Sequence, residues 1–411
     1  MITRVWARML PVAAVVATVI ATVGVAAVVS HGVRSHPSAA APAGALPPRA
    51  NGVWMYDSAY PEAGYPQVHL PGMWVPALNS YNQAATAGHE ISEMFSYATD
   101  MEMYCPHNDP AQCTPSNLQS YYTPTSAGYQ STREYAQRVE LAGRAKPIIS
   151  PVIDGRTDAG GFLTPFNQLS PDLAATYADQ VAAQVCADPL IDGIQFDIEP
   201  FDVTSQNGQY YFYLQIAKDF AGLHDGDAHH DPLNCANSHR KQGRFFSVFN
   251  FARALQPGTA SAQNVSAITN TYGNGYFIDS LYDLTDQPAG ELLDLSTYQA
   301  NVQAEVAALK AGAGQLQIRY GVGIPAAASA HEYTACEGPA CQPSASGAKG
   351  YPMIDYTKAA LAAIDSNSVR DDPLFRGTDV WDLGNSSVWD GFRKEPSPAP
   401  TSVLQYLQTR L

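Results

Sequence analysis

The chain has 411 residues, of which 45% are hydrophobic, so it can bury one barrel-sized core or two smaller cores. Its formal net charge of −15 comes from acidic residues spread along the chain, and this excludes nucleic acid as an expected partner because phosphate backbones would be repelled. The net charge is compatible with neutral and with cationic ligands.

The N-terminal segment predicts export. Arg4 and Arg8 precede an uncharged run at 10–29, which is longer than the core of a usual signal peptide and close to the length of a spanning helix. Residues 1–30 are therefore either a cleaved signal peptide or a retained anchor that leaves the following domain outside the cell. Both possibilities stay open, and membrane contact is expected only through this segment.

An Ala/Pro-rich linker at 31–50 follows, and the folded domain is expected to cover 51–411. The expected location is extracellular or in the cell envelope. Six cysteines agree with such an oxidising compartment, although buried free thiols are the alternative and sequence alone leaves the connectivity open. Short spacing favours two pairs, Cys105 with Cys113 and Cys336 with Cys341, which leaves Cys186 and Cys235 for each other.

Short apolar or alternating runs bounded by turn residues predict eight strands in the domain. In chain order they are 53–57, 91–98, 147–153, 192–200, 245–251, 292–298, 316–321 and 378–383. Helical periodicity predicts helices at 131–142, 171–186, 209–223, 302–311, 354–364 and 402–410. The second helix has a strong start signal, because Ser170 can cap it and Pro171 suits the first helical position.

Strands that alternate with helices over about 350 residues predict an α/β fold, a single-domain (β/α)8 TIM barrel with loop insertions on its C-terminal face. An open doubly wound sheet fits this pattern less well. Barrels of this kind place their chemistry at the C-terminal ends of the strands. The predicted strand ends bring five side chains to that face: Glu199, Tyr56, Tyr97, Tyr298 and Trp381.

The strand at 192–200 reads D-G-I-Q-F-D-I-E-P and carries two different faces. Side chains alternate along a strand, so Gln195, Asp197 and Glu199 point to the face opposite the isoleucines and the phenylalanine. Three polar residues on one face of a covered strand cost desolvation free energy unless a site uses them. We therefore expect a row of site residues here; the alternative is an edge strand with one wet face.

This stretch resembles the signature of glycoside hydrolase family 18, the family of chitinases and endo-β-N-acetylglucosaminidases. That signature reads D-G-hydrophobic-D-x-D-x-E on the fourth strand, and seven of its eight positions are compatible with residues 192–199. Weaker resemblance covers 89–97 and 146–150. Residues 296–298 look like the family's sixth-strand segment, which ends in a substrate-binding tyrosine. Trp381 looks like the tryptophan of the family's eighth strand.

Three positions depart from the family pattern. Gln195 replaces the first acid of the D-x-D-x-E triplet, and residues 152–153 stand where the third strand should turn through two glycines. Gln299 follows the tyrosine where the family prefers Asp. A divergent member that acts on an unusual glycan accounts for these changes better than an ordinary chitinase does.

The resemblance implies an enzyme, an exported glycosidase that cleaves a β-linked, N-acetylhexosamine-containing glycan with retention and substrate assistance. Glu199 would protonate the leaving oxygen, and Asp197 would stabilise the oxazolinium ion formed by the substrate acetamide. Like-charge coupling and partial burial should raise the pKa of the acid. Substrate-binding residues would be these five: Tyr298, Trp381, Gln195, Tyr56 and Tyr97. Ordinary packing at the barrel mouth is the alternative for Tyr298 and Trp381.

No cofactor and no metal site is assigned, since the cluster at 224–231 (H-D-G-D-A-H-H-D) lacks a recognised ligand spacing and reads as a solvated turn. The partner is a glycan, and a monomer is expected. Two rival functions remain. One is a barrel glycosidase that uses Glu199 with a second carboxylate such as Asp294 or Asp382; the other is a non-catalytic glycan-binding protein. Retention of Glu199 argues against the second.

Overall fold

The structure, a computed structural model, describes most of the chain from Arg49 onward. The described ranges are 49–55, 74–121, 127–155, 163–222, 233, 235–236, 243–282, 284, 295–326, 353–381 and 401–411. Several residues named from the sequence lie outside these ranges: Tyr56, Asp294, Asp382, Cys336, Cys341, the run at 10–29 and the cluster at 224–231. The predictions made for them stay predictions.

Eight parallel strands in the described residues form a closed barrel. They are β1 (Asn51–Met55), β2 (Ile91–Tyr104), β3 (Ile148–Ile149 and Val152–Gly155), β4 (Gly193–Ile198), β5 (Phe245–Asn250), β6 (Gly275–Ser280), β7 (Tyr320–Pro325) and β8 (Phe375–Trp381). Each pairs with the next along the chain, and β1 pairs with both β2 and β8. A short antiparallel strand, Gln119–Tyr121, extends the end of β2. The closed order confirms the predicted (β/α)8 barrel.

Helices follow the strands and cover the outside of the barrel. They are α1 (Trp74–Ala84), α2 (Ala127–Leu141), α3 (Leu163–Asn167), α4 (Pro171–Cys186), α5 (Gly208–Phe220), α6 (Ala260–Asn270), α7 (Leu295–Leu316), α8 (Met353–Ser366) and α9 (Thr401–Leu407). The predicted start of α4 is confirmed, because the Ser170 hydroxyl accepts a hydrogen bond from the Leu173 N–H at 3.4 Å. Helices α1, α3 and α6 had no counterpart in the sequence prediction.

The predicted sixth strand at 292–298 is wrong, because its described end belongs to α7. The sixth strand is Gly275–Ser280, a segment that is buried along its whole length. The seventh strand also begins later than predicted. Helix α7 ends at Leu316, and the next residue, Gln317, has a φ of 56°, the left-handed conformation that often terminates a helix. Strand β7 therefore covers Tyr320–Pro325 and overlaps the predicted strand by two residues.

The barrel interior is filled by side chains. One cluster inside the barrel is aromatic and aliphatic: Trp54, Phe95, Val152, Phe245, Phe249, Tyr276, Ile278 and Tyr282. The interior also holds a buried ion pair, in which Arg376 Nη2 lies 2.8 Å from Glu93 Oε2. Asp379 lies in the same interior, and its pKa is raised well above the ordinary value by burial and then by the charge of Glu93. A ligand can therefore bind only at an end of the barrel.

Two of the predicted cysteine pairs form disulfides. Cys105 is bonded to Cys113 in the loop after β2, and Cys186 is bonded to Cys235. The second bond joins the end of α4 to the segment before β5, as predicted. Every described cysteine is paired. Among the helices that the structure describes, none combines the length and the hydropathy that a membrane span requires.

Candidate active site

Strand β4 presents its polar face to the barrel interior in the predicted alternation. Gln195 is fully buried, Asp197 is partly exposed and Glu199 is exposed, so accessibility rises along the strand toward its C-terminal end. The alternate side chains, Ile194, Phe196 and Ile198, belong to the outer core. Because β4 pairs with β3 on one side and β5 on the other, it is not an edge strand. The two carboxylates therefore lie toward the mouth of a closed barrel.

Gln195 is held below Asp197 by hydrogen bonds of its side-chain amide. Its Oε1 accepts a hydrogen bond from the Trp54 indole N–H at 3.2 Å, and its Nε2 donates to the Phe196 carbonyl at 3.0 Å. Glutamine carries no charge, so its burial at this depth has a modest desolvation penalty once the amide is bonded. The layer directly beneath Asp197 on β4 is thus neutral.

A cavity of about 300 Å³ opens at the ends of β4 and β5. Its lining residues are Glu199, Pro200, Phe201, Phe249, Asn250, Phe251 and Arg253. Asn250 joins the two strand ends, because its Nδ2 donates to the Phe201 carbonyl at 3.0 Å. The Arg253 guanidinium lies 4.4 Å from the centre of the Phe251 ring, so the wall combines apolar surface with one cation. This volume is at the lower end of the range for small-molecule sites.

Aromatic rings line the approach from β8 to this cavity. Trp381, at the end of β8, stacks on Tyr282 with ring centroids 5.4 Å apart and an interplanar angle of 27°. Tyr282 stacks in turn on Phe249, which is a wall residue of the cavity. Trp381 is partly exposed and Tyr282 is almost buried. The structure therefore places Trp381 at the C-terminal end of β8, partly exposed and packed against Tyr282.

Tyr298 is not at the barrel mouth. It lies in α7, fully buried, and its hydroxyl donates to the Leu281 carbonyl at 2.6 Å, while its ring packs 4.9 Å from Tyr356 of α8. Its substrate-binding role depended on the wrong sixth strand, and a buried helix residue has no surface for a sugar. The tyrosine that follows the true β6 is Tyr282, and the next residue in the sequence is Asp283. This tyrosine-aspartate pair was the sequence signal that could have located the end of the sixth strand.

Tyr97 lies on β2, almost buried, and is paired in register with Val152 of β3. Val152 is in turn paired with Gln195 of β4, so Tyr97 and Gln195 occupy one layer of the barrel, below the carboxylates. The sequence prediction missed Asp154. That residue is the register partner of Asp197 and is partly exposed, whereas the predicted third strand stopped at residue 153, one residue before it.

No protein-family model matches the chain, and the search of curated proteins gives no match. Solved structures with a similar barrel include XacCel5A, which is 11% identical with a TM-score of 0.46 over 89% of this chain and 99% of that chain. A GH18 chitinase from Pseudoalteromonas aurantia is 12% identical, with a TM-score of 0.41 over 81% and 94% of the two chains. The endo-β-1,4-glucanase Xac0029 from Xanthomonas axonopodis pv. citri is 12% identical, with a TM-score of 0.41 over 88% and 99%. Similarity this low leaves the family of the chain open.

Proposed function

We propose that this chain is a glycoside hydrolase that cleaves a β-linked, N-acetylhexosamine-containing glycan at the mouth of the barrel. One observation carries the proposal: Glu199 is exposed in a cavity at the end of β4, and Asp197 lies on the same face of the strand two residues earlier. Carboxyl groups at the C-terminal ends of barrel strands are positioned for catalysis, whereas the opposite end of a barrel serves stability. The family-18-like signature at 192–199 gives these carboxyl groups their roles.

In the proposed reaction, Glu199 donates a proton to the glycosidic oxygen as the bond to the anomeric carbon breaks. The substrate's own acetamide oxygen attacks that carbon from the opposite face and forms an oxazolinium ion, so no protein nucleophile is required. Asp197 stabilises the positive charge of this ion. Water then opens the ring while Glu199 accepts its proton, and the product keeps the β configuration.

Substrate binding is assigned to the aromatic side of the mouth. Trp381 would stack against a sugar ring, and Tyr282 takes the place that Tyr298 held in the sequence prediction. Tyr97 and Gln195 lie one layer lower, and we assign them to the floor of the site. Tyr56 stays a prediction. We also propose that the domain works outside the cytoplasm, because two disulfides suit an oxidising compartment.

The test compares two soluble β-1,4-linked tetrasaccharides that differ only at carbon 2, one built of N-acetylglucosamine and one of glucose. Substrate assistance predicts hydrolysis of the first alone, and proton NMR of the fresh product should detect the β-anomer before mutarotation. Hydrolysis of both substrates would favour the two-carboxylate glycosidase. Tight binding without turnover of either substrate would favour a glycan-binding protein.

A further inference from the structure

Arg253 is the cationic side chain among the described residues that line the cavity at the ends of β4 and β5. It is exposed, and its guanidinium lies 4.4 Å from the centre of the Phe251 ring, which is also part of the wall. Within the part of the chain that the structure describes, no group forms a hydrogen bond or an ion pair with this guanidinium. Its N–H groups are therefore available to water or to a ligand in the cavity.

The backbone that carries Arg253 is fixed by hydrogen bonds. In the 3-10 turn that follows β5, Arg253 is exposed, whereas its neighbours in the turn are buried. The Ala252 N–H donates to Glu305 Oε1 of α7 at 2.7 Å, and the Phe251 N–H donates to Asn250 Oδ1 at 2.7 Å. Stacking on the Phe251 ring restricts the long side chain as well. Arg253 is thus preorganised, so less conformational freedom is lost when it binds a ligand.

A purely structural role for Arg253 would be to balance the buried carboxyl groups of Asp279 and Glu305. Burial, followed by the charge of Glu305, raises the pKa of Asp279 well above its ordinary value, so Asp279 is protonated at neutral pH. The two carboxyl groups together therefore carry at most one negative charge. Burial is the largest effect on the pKa of each group, and the charge of Arg253 is a smaller, opposing one. Because neither group forms an ion pair with Arg253, the guanidinium is not their bonded counter-ion.

A carboxylate is the ligand group that this arrangement fits best. A planar guanidinium can donate two parallel hydrogen bonds to the two oxygens of a carboxylate, and such charge-assisted bonds are about twice as strong as bonds between neutral groups. The net charge of −15 is spread along the chain, and salt screens exposed charges beyond roughly 8–10 Å. Glu199, acting as an acid, is protonated when the substrate binds, so it does not repel a carboxylate in the same cavity.

We propose that Arg253 is a specificity-determining residue that selects a glycan in which an N-acetylhexosamine is joined to a sugar that carries a carboxylate. This selection rests on the proposed function, because Arg253 lines the same cavity as Glu199. The Arg253 guanidinium donates two hydrogen bonds to the carboxylate oxygens, and Glu199 protonates the glycosidic oxygen next to that sugar. The carboxylate can belong to a uronic acid or to a lactyl ether on the sugar ring, since both present the same two oxygens.

Calorimetric titration measures this preference in a Glu199→Gln background, in which bound substrate is not cleaved. The probes are three β-linked tetrasaccharides: N-acetylglucosamine alone, N-acetylglucosamine alternating with glucuronic acid, and N-acetylglucosamine alternating with its 3-O-lactyl derivative. At least one acidic probe should bind about tenfold more tightly than the neutral probe, and added salt should reduce the difference, because the gain comes from a charge-assisted pair. The two acidic probes distinguish a uronic acid from a lactyl ether.

Substitution of Arg253 in the same background tests its role in the preference. Arg253→Gln should abolish the preference, and Arg253→Lys should keep only part of it, because lysine retains the charge without the planar fork. Arg138→Gln is the matched control, since Arg138 is a 78% exposed side chain on the outer helix α2 and its loss changes the net charge equally. Its preference for the acidic probe should equal that of the Glu199→Gln parent.

Equal affinity of the parent for all three probes, or an undiminished preference after Arg253→Gln, would overturn the proposal. A counter-ion role for Arg253 would give the second result together with a lower free energy of unfolding in urea. In either case, hydrolysis of the neutral tetrasaccharide by the wild type would leave the proposed function standing. An acidic preference that depends on Arg253, without turnover of any probe by the wild type, would support Arg253 as the selecting residue and contradict the proposed hydrolysis.

Discussion

The sharpest stability prediction concerns Asp219, which holds α5 against α4 on the outside of the barrel. Gln215 Nε2 donates to Asp179 Oδ1 at 2.8 Å and to Asp219 Oδ1 at 2.9 Å. The other oxygen of Asp219 is buried without a hydrogen-bond partner among the described residues. Burial, followed by the charge of Asp179, raises the pKa of Asp219 to about 9. Asp219 is therefore protonated in the folded protein at neutral pH.

The sign of the effect follows from linkage. In the unfolded chain an aspartate titrates near its ordinary pKa of about 3.9. Between that value and about 9, unfolding releases one proton from Asp219, so the free energy of unfolding falls as pH rises. The free energy of unfolding falls by about 1.4 kcal/mol per pH unit in this range. The loss of stability between pH ~4 and pH 7 is therefore at most roughly 4 kcal/mol. The stabilisation by the protonated Asp219 carboxyl is complete below pH ~4, and it disappears as the pH rises past the folded-state pKa.

Asp219→Asn should remove this slope, because the amide stays neutral in both the folded and the unfolded state. Urea unfolding of wild type and variant at pH 5, 6, 7 and 8 measures the difference, with Asp172→Asn as the control for a lost surface charge. The variant should gain stability relative to the wild type at each step up in pH. Parallel curves for the two proteins would refute the assignment of a proton to Asp219.

Three further predictions follow from named contacts. Tyr298→Phe removes the donor to the buried Leu281 carbonyl, so it should lower the free energy of unfolding by about 1–3 kcal/mol and leave kcat/KM unchanged in the folded variant. Trp381→Ala should raise KM about tenfold or more through loss of the stacking ring, as steady-state kinetics would show. Replacing both Cys186 and Cys235 by alanine should cost about 2–4 kcal/mol, measured by urea unfolding without reductant.

Strand alternation and helix-capping signals predicted the elements that depend on residues close together in the chain. The period-two alternation of β4 placed Asp197 and Glu199 on one face, and the cap at Ser170 located the start of α4. The prediction of the sixth strand failed because 275–280 and 292–298 are both short segments that mix apolar, polar and aromatic residues. Only packing distinguishes them: Tyr298 is buried against α8, within a 22-residue helix. Periodicity in a short window does not contain that information.

The relation between Asp154 and Asp197 could not be predicted from the sequence for a different reason. The two residues are far apart in the chain, and they meet because of the register of the β3–β4 ladder. Register depends on how whole strands pack and close into a barrel, and a shift of one residue would move either side chain to the opposite face. The carboxyl group beside the candidate catalytic pair is therefore a product of the tertiary fold.

The most direct test of the central claim is the turnover of Glu199→Gln beside that of the wild type on soluble N-acetylhexosamine oligosaccharides. Glutamine has nearly the same shape, so the cavity at the end of β4 and the affinity for the oligosaccharide should persist. The loss of a positioned acid predicts a drop in kcat of about 10² to 10⁴. Calorimetric titration of the folded variant checks that binding is retained. Turnover equal to that of the wild type would contradict the assignment of Glu199 as the acid.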